Sequence, residues 1–141
     1  MKKLVAFMFT MTLVRLALGQ SIWVMDFVEV KNNRTAESEY FINQNWKLFR
    51  EEALKKRVIK SYQVLKTTPD STHSYSYILM TEFADSASFK NVESNFRPIM
   101  KAIRPNGPLM LNEVKPNDFR AIRLSLEALQ FIQSGDRKKR K

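Results

Sequence analysis

The chain has 141 residues, which is enough for one domain and too few for two comfortable ones. Its hydrophobic fraction of 44% can build a core, and the absence of cysteine excludes disulfides, thiolate metal sites and cysteine nucleophiles. The net charge of +10 does not indicate a nucleic-acid partner, because three of the positive charges lie in residues 1–19 and five in residues 137–141.

Residues 1–19 have the layout of a secretory signal peptide. Two lysines precede the apolar run Leu4–Val14, and the small residues Ala17 and Gly19 stand before Gln20 at a cleavage site. The run is too short to span a membrane, which takes about 20 apolar residues. An exported chain without cysteine fits the bacterial envelope. We therefore expect a periplasmic or secreted bacterial protein, with an uncleaved anchor or a buried N-terminal helix as alternatives.

The segment Ser21–Lys31 has the strongest strand pattern in the chain. Its alternating positions are apolar on both faces, with Ile22, Val24, Val28 and Val30 on one face and Trp23, Met25 and Phe27 on the other. A strand of this kind has to be covered on both faces. In so small a domain its own helices cover one face, and we expect a second subunit to cover the other.

A helix and a hairpin are predicted next. The helix runs from Thr35, as N-cap, to about Arg57, because apolar residues recur at helical spacing at Ile42, Trp46, Phe49 and Ala53. Two strands follow, at 58–67 and 74–84, separated by a turn that contains Pro69 and Asp70.

The last third of the chain predicts one more helix and an ambiguous closing segment. Asp85 or Ser86 caps the helix, Pro98 is expected to break it or to begin a new turn, and 105–108 (PNGP) ends it. Residues 120–133 suit either a strand or a helix, and the order of the elements favours the strand.

The resulting order is βαββαβ, an α+β ferredoxin-like domain with an antiparallel sheet and both helices on one face. The chain resembles the dimeric α/β-barrel superfamily, in particular an uncharacterised group of small exported bacterial members, at Trp23–Lys31, Asn45–Lys56 and Ile59–Lys66. The resemblance implies a homodimer with sheets packed face to face. It also implies a cavity between helix and sheet, which in some members binds small aromatic or apolar ligands. The predicted domain is 20–134, and a disordered basic tail follows at 135–141.

Three residues are candidates for acid–base chemistry: Asp26, Tyr77 and His73. Asp26 lies on the same strand face as Val24 and Val28, where a carboxylate is costly unless it is paired or hydrogen-bonded. It is either a pocket acid, base or ligand anchor, or a carboxylate satisfied by an arginine, a tyrosine or the backbone. His73 is the one histidine of the chain and lies in a Ser/Thr-rich turn. We expect it to be a surface residue, and a role in proton transfer is the alternative.

Aromatic residues and the tail provide the other candidates. Trp46, Tyr62 and Tyr75, with Tyr77, are predicted to line a pocket between helix and sheet, although core packing is the simpler role for Trp46. The basic tail residues are candidates for contact with an anionic membrane surface, or are simply solvated; they are Arg137, Lys138, Lys139, Arg140 and Lys141.

The functional expectation is an exported homodimer that binds a small molecule or serves as a structural module. The alternatives are a cofactor-independent monooxygenase or isomerase that uses the intramonomer pocket, and a peripheral envelope protein that docks through its tail. No metal site or cofactor is expected, since a lone histidine cannot build a His-rich metal site.

Overall fold

The computed structural model describes residues 20–130, which form a four-stranded antiparallel sheet with helices packed against it. The strands are β1 (Ile22–Val30), β2 (Ser61–Lys66), β3 (Tyr77–Phe83) and β4 (Arg120–Leu129), in the spatial order β2-β3-β1-β4. The ambiguous closing segment is therefore a strand, antiparallel to β1. The predicted signal peptide and basic tail lie outside the described residues.

The helices connect the strands in the predicted order. Between β1 and β2 run α1 (Thr35–Phe41), a π-helical turn (Ile42–Lys47) and α2 (Leu48–Lys55). Between β3 and β4 run α3 (Ser86–Lys90), α4 (Val92–Ile103) and the short α5 (Pro116–Phe119). This is the βαββαβ ferredoxin-like arrangement that the sequence predicts.

Two predicted helix boundaries are confirmed and one is wrong. The Asp85 carboxylate accepts a hydrogen bond from the Ser88 backbone N–H at 2.7 Å, so Asp85 caps α3 as predicted. The second helix ends at Ile103, just before the PNGP segment. Thr35, however, is not an N-cap. Arg34 holds that position, since its carbonyl already accepts the first helical hydrogen bond, from the N–H of Ser38.

Pro98 was predicted to break the second helix but lies inside α4. The break occurs earlier, at Asn91, where φ is −94° and ψ is 13°. Proline has no backbone N–H, so the carbonyl of Ser94, four residues earlier, loses its helical hydrogen-bond donor. Both residues are solvent-exposed, so water can satisfy that carbonyl while the opposite side of the helix buries Phe96 and Ile99.

The core lies between the helices and one face of the sheet. Near α2 and α4 the sheet contributes Ile22 and Phe83 to an apolar cluster, and near the π-helical turn it contributes Val28, Tyr77 and Leu79 to a second one. These are the even-numbered residues of β1 and the odd-numbered residues of β3, as expected from the two-residue period of a strand.

The other face of the sheet, which we call the far face, is also apolar. Cross-strand pairs align its side chains in rows; they belong to Trp23, Met25, Phe27, Leu65, Ile78, Met80, Leu124, Leu126 and Leu129. Near the edges of the sheet this face is exposed to solvent, at 46% for Leu65 and 49% for Leu124. The described helices cover the opposite face of the sheet. This confirms the prediction that β1 is apolar on both faces and that its own helices cover one of them.

The π-helical turn anchors the connection between α4 and β4. A π turn contains one more residue than an α turn and so widens the helix locally. Here it carries the fully buried Asn45, whose side-chain amide donates to the carbonyl of Leu109 and accepts from the N–H of Leu109, both at 2.8 Å. Arg104 adds a hydrogen bond to the carbonyl of Gln44 at 2.7 Å. The long loop is thereby held on the helix layer.

We expect Asn45→Ala to lower the free energy of unfolding by about 2–3 kcal/mol, because it removes both part-buried hydrogen bonds to Leu109 and leaves a space at a fully buried position. Urea denaturation measures this. Asn43→Ala is the matched control: Asn43 lies in the same turn but is exposed, and its side chain accepts an exposed hydrogen bond from the Lys47 ammonium. Equal effects of the two substitutions would contradict the anchoring role.

Candidate functional site

A pocket of about 210 Å³ lies between the sheet and the helix layer, and we call it the Arg50 pocket. Its polar lining consists of Asp26, Arg50, Thr81, Ser125 and Glu127. Its apolar lining consists of Val24, Phe83, Phe89 and Val92. Residues from β1, β3, β4 and three helices meet here, and a predicted site residue, Asp26, is among them.

Asp26 sits in the middle of β1 on the helix side of the sheet, as its alternation with Val24 and Val28 predicts. Across β4 it faces Ser125, whose hydroxyl donates a hydrogen bond to its carboxylate at 2.6 Å. Two desolvated guanidinium groups, of Arg50 and Arg120, interact with it electrostatically. The donor to Asp26 is thus a serine, whereas the sequence suggested an arginine, a tyrosine or the backbone.

Arg50 projects from α2 and is held from three directions. Its Nε donates to the Thr81 hydroxyl at 3.0 Å and its Nη1 to the Trp46 carbonyl at 3.4 Å. Its guanidinium stacks on the Trp46 ring, 3.8 Å from the centroid, and lies 5.4 Å from that of Phe96. Burial lowers the pKa of Arg50 to about 9, and the negative charge of Asp26 opposes that change.

Arg120 is the second cation near Asp26, at the start of β4. Its guanidinium lies 4.1 Å from the ring centroid of Phe41. Burial lowers its pKa, and Asp26 again opposes the change. Within residues 20–130 neither guanidinium forms a direct ion pair with Asp26. The single carboxylate therefore stabilises both desolvated cations by longer-range electrostatic attraction.

The structure does not bring the three acid–base candidates together. Tyr77 is buried on the helix side of the sheet, but its hydroxyl donates to the Glu39 carboxylate at 3.0 Å. Burial and the negative charge of Glu39 raise the pKa of Tyr77 to about 12. His73 lies exposed in the turn between β2 and β3, and its backbone N–H donates a hydrogen bond to the Asp70 carboxylate. Only Asp26 lines the Arg50 pocket.

The predicted aromatic lining is also divided. Trp46 and Tyr62 pack edge to face, with ring centroids 5.7 Å apart, in the core cluster near the π-helical turn. Tyr75 is not in this group: its ring packs against Phe27 of the far face at 4.9 Å, because β3 begins only at Tyr77. None of the three lines the Arg50 pocket, although Trp46 supports Arg50 from below.

Arg50 itself was missed in the sequence, where it reads as one more charged residue of an amphipathic helix. The available signal was its distance of four residues from Trp46, which places the two side chains one above the other on a helix. Nothing in the sequence indicates that Thr81 or Ser125 would join it, because those contacts cross between strands distant in the chain.

Two kinds of feature are absent from the part of the chain that the structure describes. Residues 20–130 contain no cluster of His, Asp and Glu side chains that could hold a metal ion. They contain no helix long and apolar enough to cross a membrane. The tail candidates, residues 137–141, lie beyond this range, and their contact with an anionic surface stays a prediction.

The fold of this chain is similar to that of a solved protein. HapK from Hahella chejuensis superposes with a TM-score of 0.51 at 11% identity, covering 82% of this chain and 97% of HapK. The chain therefore has a ferredoxin-like α+β fold. A dimeric ferredoxin-like protein of unknown function from Thermobifida fusca is also similar, with a TM-score of 0.46 at 16% identity over 79% of this chain and 92% of that one. No protein-family model and no curated protein matches the sequence.

We expect Asp26→Asn to lower the free energy of unfolding by about 1–2 kcal/mol, because it removes the charge that offsets the desolvation of Arg50 and Arg120. Asparagine keeps the size of the side chain and an acceptor for Ser125. Glu127→Gln is the control, since Glu127 lines the same pocket but is exposed. Urea denaturation of both variants measures the difference, and equal small effects would show that the charge of Asp26 is not needed.

Proposed function

We propose that this protein is an exported, homodimeric small-molecule-binding module and that its ligand occupies the Arg50 pocket. One observation supports the binding role above the others: a desolvated guanidinium and a carboxylate line a space that the side chains around them do not fill. A domain with a purely structural role gains stability by filling such a space, because interiors are close-packed and buried charges are unfavourable.

The size of the pocket bears on the class of ligand. Pockets for drug-sized molecules begin at about 300 Å³. The Arg50 pocket, at about 210 Å³, therefore fits a smaller molecule. Its combination of aromatic and aliphatic walls with a few fixed polar groups is typical of small-molecule sites. This agrees with the small apolar or aromatic ligand that the resemblance implies.

An oxygenase or isomerase that uses Asp26, Tyr77 and His73 together has no support in the geometry. The Tyr77 hydroxyl is engaged by Glu39, and His73 belongs to the β2–β3 turn. A binding role requires only the groups that do converge, namely Asp26, Arg50 and Ser125 with their apolar surroundings. Binding is therefore the function we propose.

The far face supports the homodimer. It exposes large apolar side chains on both edge strands, Leu65 on β2 and Leu124 and Leu126 on β4, and exposed apolar side chains that share one face are typical of protein contacts. A second copy would meet it with the same rows of side chains, because a two-fold interface pairs a surface with itself.

We expect the protein to be a dimer in solution and Leu124→Glu to make it a monomer, because a carboxylate in the apolar interface would lose its hydration. Sedimentation-velocity ultracentrifugation distinguishes the two states. Met100→Glu is the control, since it introduces the same charge at an exposed apolar residue of α4, on the helix side. A monomeric wild type, or a monomer in both variants, would contradict dimerisation through the far face.

Native mass spectrometry tests export and ligand retention together. For protein purified gently from the envelope fraction of a bacterial host, we expect a chain mass that begins at Gln20 and a small additional mass on each subunit. Val92→Phe should abolish the additional mass because the larger ring occupies the Arg50 pocket. An uncleaved chain would contradict the signal peptide. An additional mass unchanged in Val92→Phe would place the ligand elsewhere.

A further inference from the structure

The Arg50 pocket carries a further inference, which rests on the proposed function and names its ligand class. We infer that the ligand is a small aromatic monocarboxylic acid, whose carboxylate pairs with the Arg50 guanidinium while its ring lies against the apolar wall. The hydrogen bonding of Arg50, the balance of charge around the pocket and the composition of the wall each support this inference.

Arg50 is fixed in place before any ligand arrives. Its Nε and Nη1 are engaged by Thr81 and by the Trp46 carbonyl, and the Trp46 ring supports the plane of the guanidinium. Its Nη2 has no acceptor among residues 20–130. A carboxylate provides such an acceptor, and hydrogen bonds between charged groups are shorter and stronger than neutral ones. Little side-chain entropy is lost on binding, because the guanidinium is already ordered.

The charges around the pocket leave room for one negative charge. Among residues 20–130, Asp26 is the one carboxylate that acts on the two desolvated cations Arg50 and Arg120, and its own hydrogen-bond donor is Ser125. Glu127 also lines the pocket but is exposed, where water screens it. A monoanion beside Arg50 completes the balance of two cations and two anions. A dianion would exceed it, and a cation would meet Arg50 unfavourably.

The apolar residues that line the Arg50 pocket favour an aromatic ring in the ligand. Phe83 and Phe89 meet edge to face with their centroids 5.7 Å apart, and Val24 and Val92 extend the apolar surface. Aromatic rings pack well against such a corner through edge and face contacts. A volume of about 210 Å³ suits a single ring better than a fused system.

Benzoate, benzamide and benzyl alcohol test the ligand class on the unmodified mature protein. The three probes share the ring, and only benzoate carries a charge. We expect benzoate to bind at least about tenfold more tightly than either neutral probe, as the charge-assisted hydrogen bond to Arg50 requires. Titration followed by NMR should shift the Nε–H signal of Arg50 with benzoate. This comparison needs no variant and so does not depend on whether a substitution at Arg50 folds.

Variants assign the effect to Arg50. Arg50→Met should remove the preference for benzoate while neutral probes bind as before, and Arg97→Gln, at an exposed arginine of α4, should leave the preference unchanged. Equal affinities for benzoate and benzamide would overturn the inference but leave the binding function standing. Failure of all three probes would also overturn it, and the retained mass in the native spectrum would then decide separately whether the pocket binds any ligand.

Discussion

The structure depends on β1, a central strand whose two faces are both apolar. It is one of the two central strands, paired with β3 on one edge and β4 on the other, so every other strand is placed directly or indirectly by its register. Its even-numbered residues form the floor of the helix-covered core, and its odd-numbered residues form the middle of the far face. Burial of apolar area is the dominant favourable term in folding, and the helices provide it on one face of this nine-residue strand.

Asp26 is the exception on that strand, and the pocket is built around it. A carboxylate in the middle of an apolar strand needs partners, and the chain provides a serine hydroxyl at hydrogen-bond distance and two arginines farther away. Arg50 reaches its place because α2 directly follows the π-helical turn, whose Trp46 holds the guanidinium with its ring and its carbonyl. The loss of regular helix geometry thus coincides with the site, as is frequent for π segments.

Much of the fold was predictable because it depends on local patterns. The alternation in β1 gave its two faces, Asp85 marked a helix start, and the order of the elements predicted the sheet. Pro98 misled because the sequence alone does not tell that its missing hydrogen bond falls on the solvent side. Tyr75 misled because β3 begins at Tyr77, three residues later than predicted, so Tyr75 lies outside the strand. Arg50 and Ser125 were not found, since their roles come from contacts between segments far apart in the chain.

The alternation along β1 separates two properties of the molecule by residue parity. Side chains 24 and 26 face the pocket, and side chains 25 and 27 face away from the helices toward the far face. Substitutions can therefore alter the pocket and the opposite surface independently, even at neighbouring positions. Insertion or deletion of a single residue affects both surfaces at once, because it moves the pocket-facing side chains to the far face and the far-face side chains to the pocket. A change in the length of this strand is therefore more damaging than a substitution at any one of its positions.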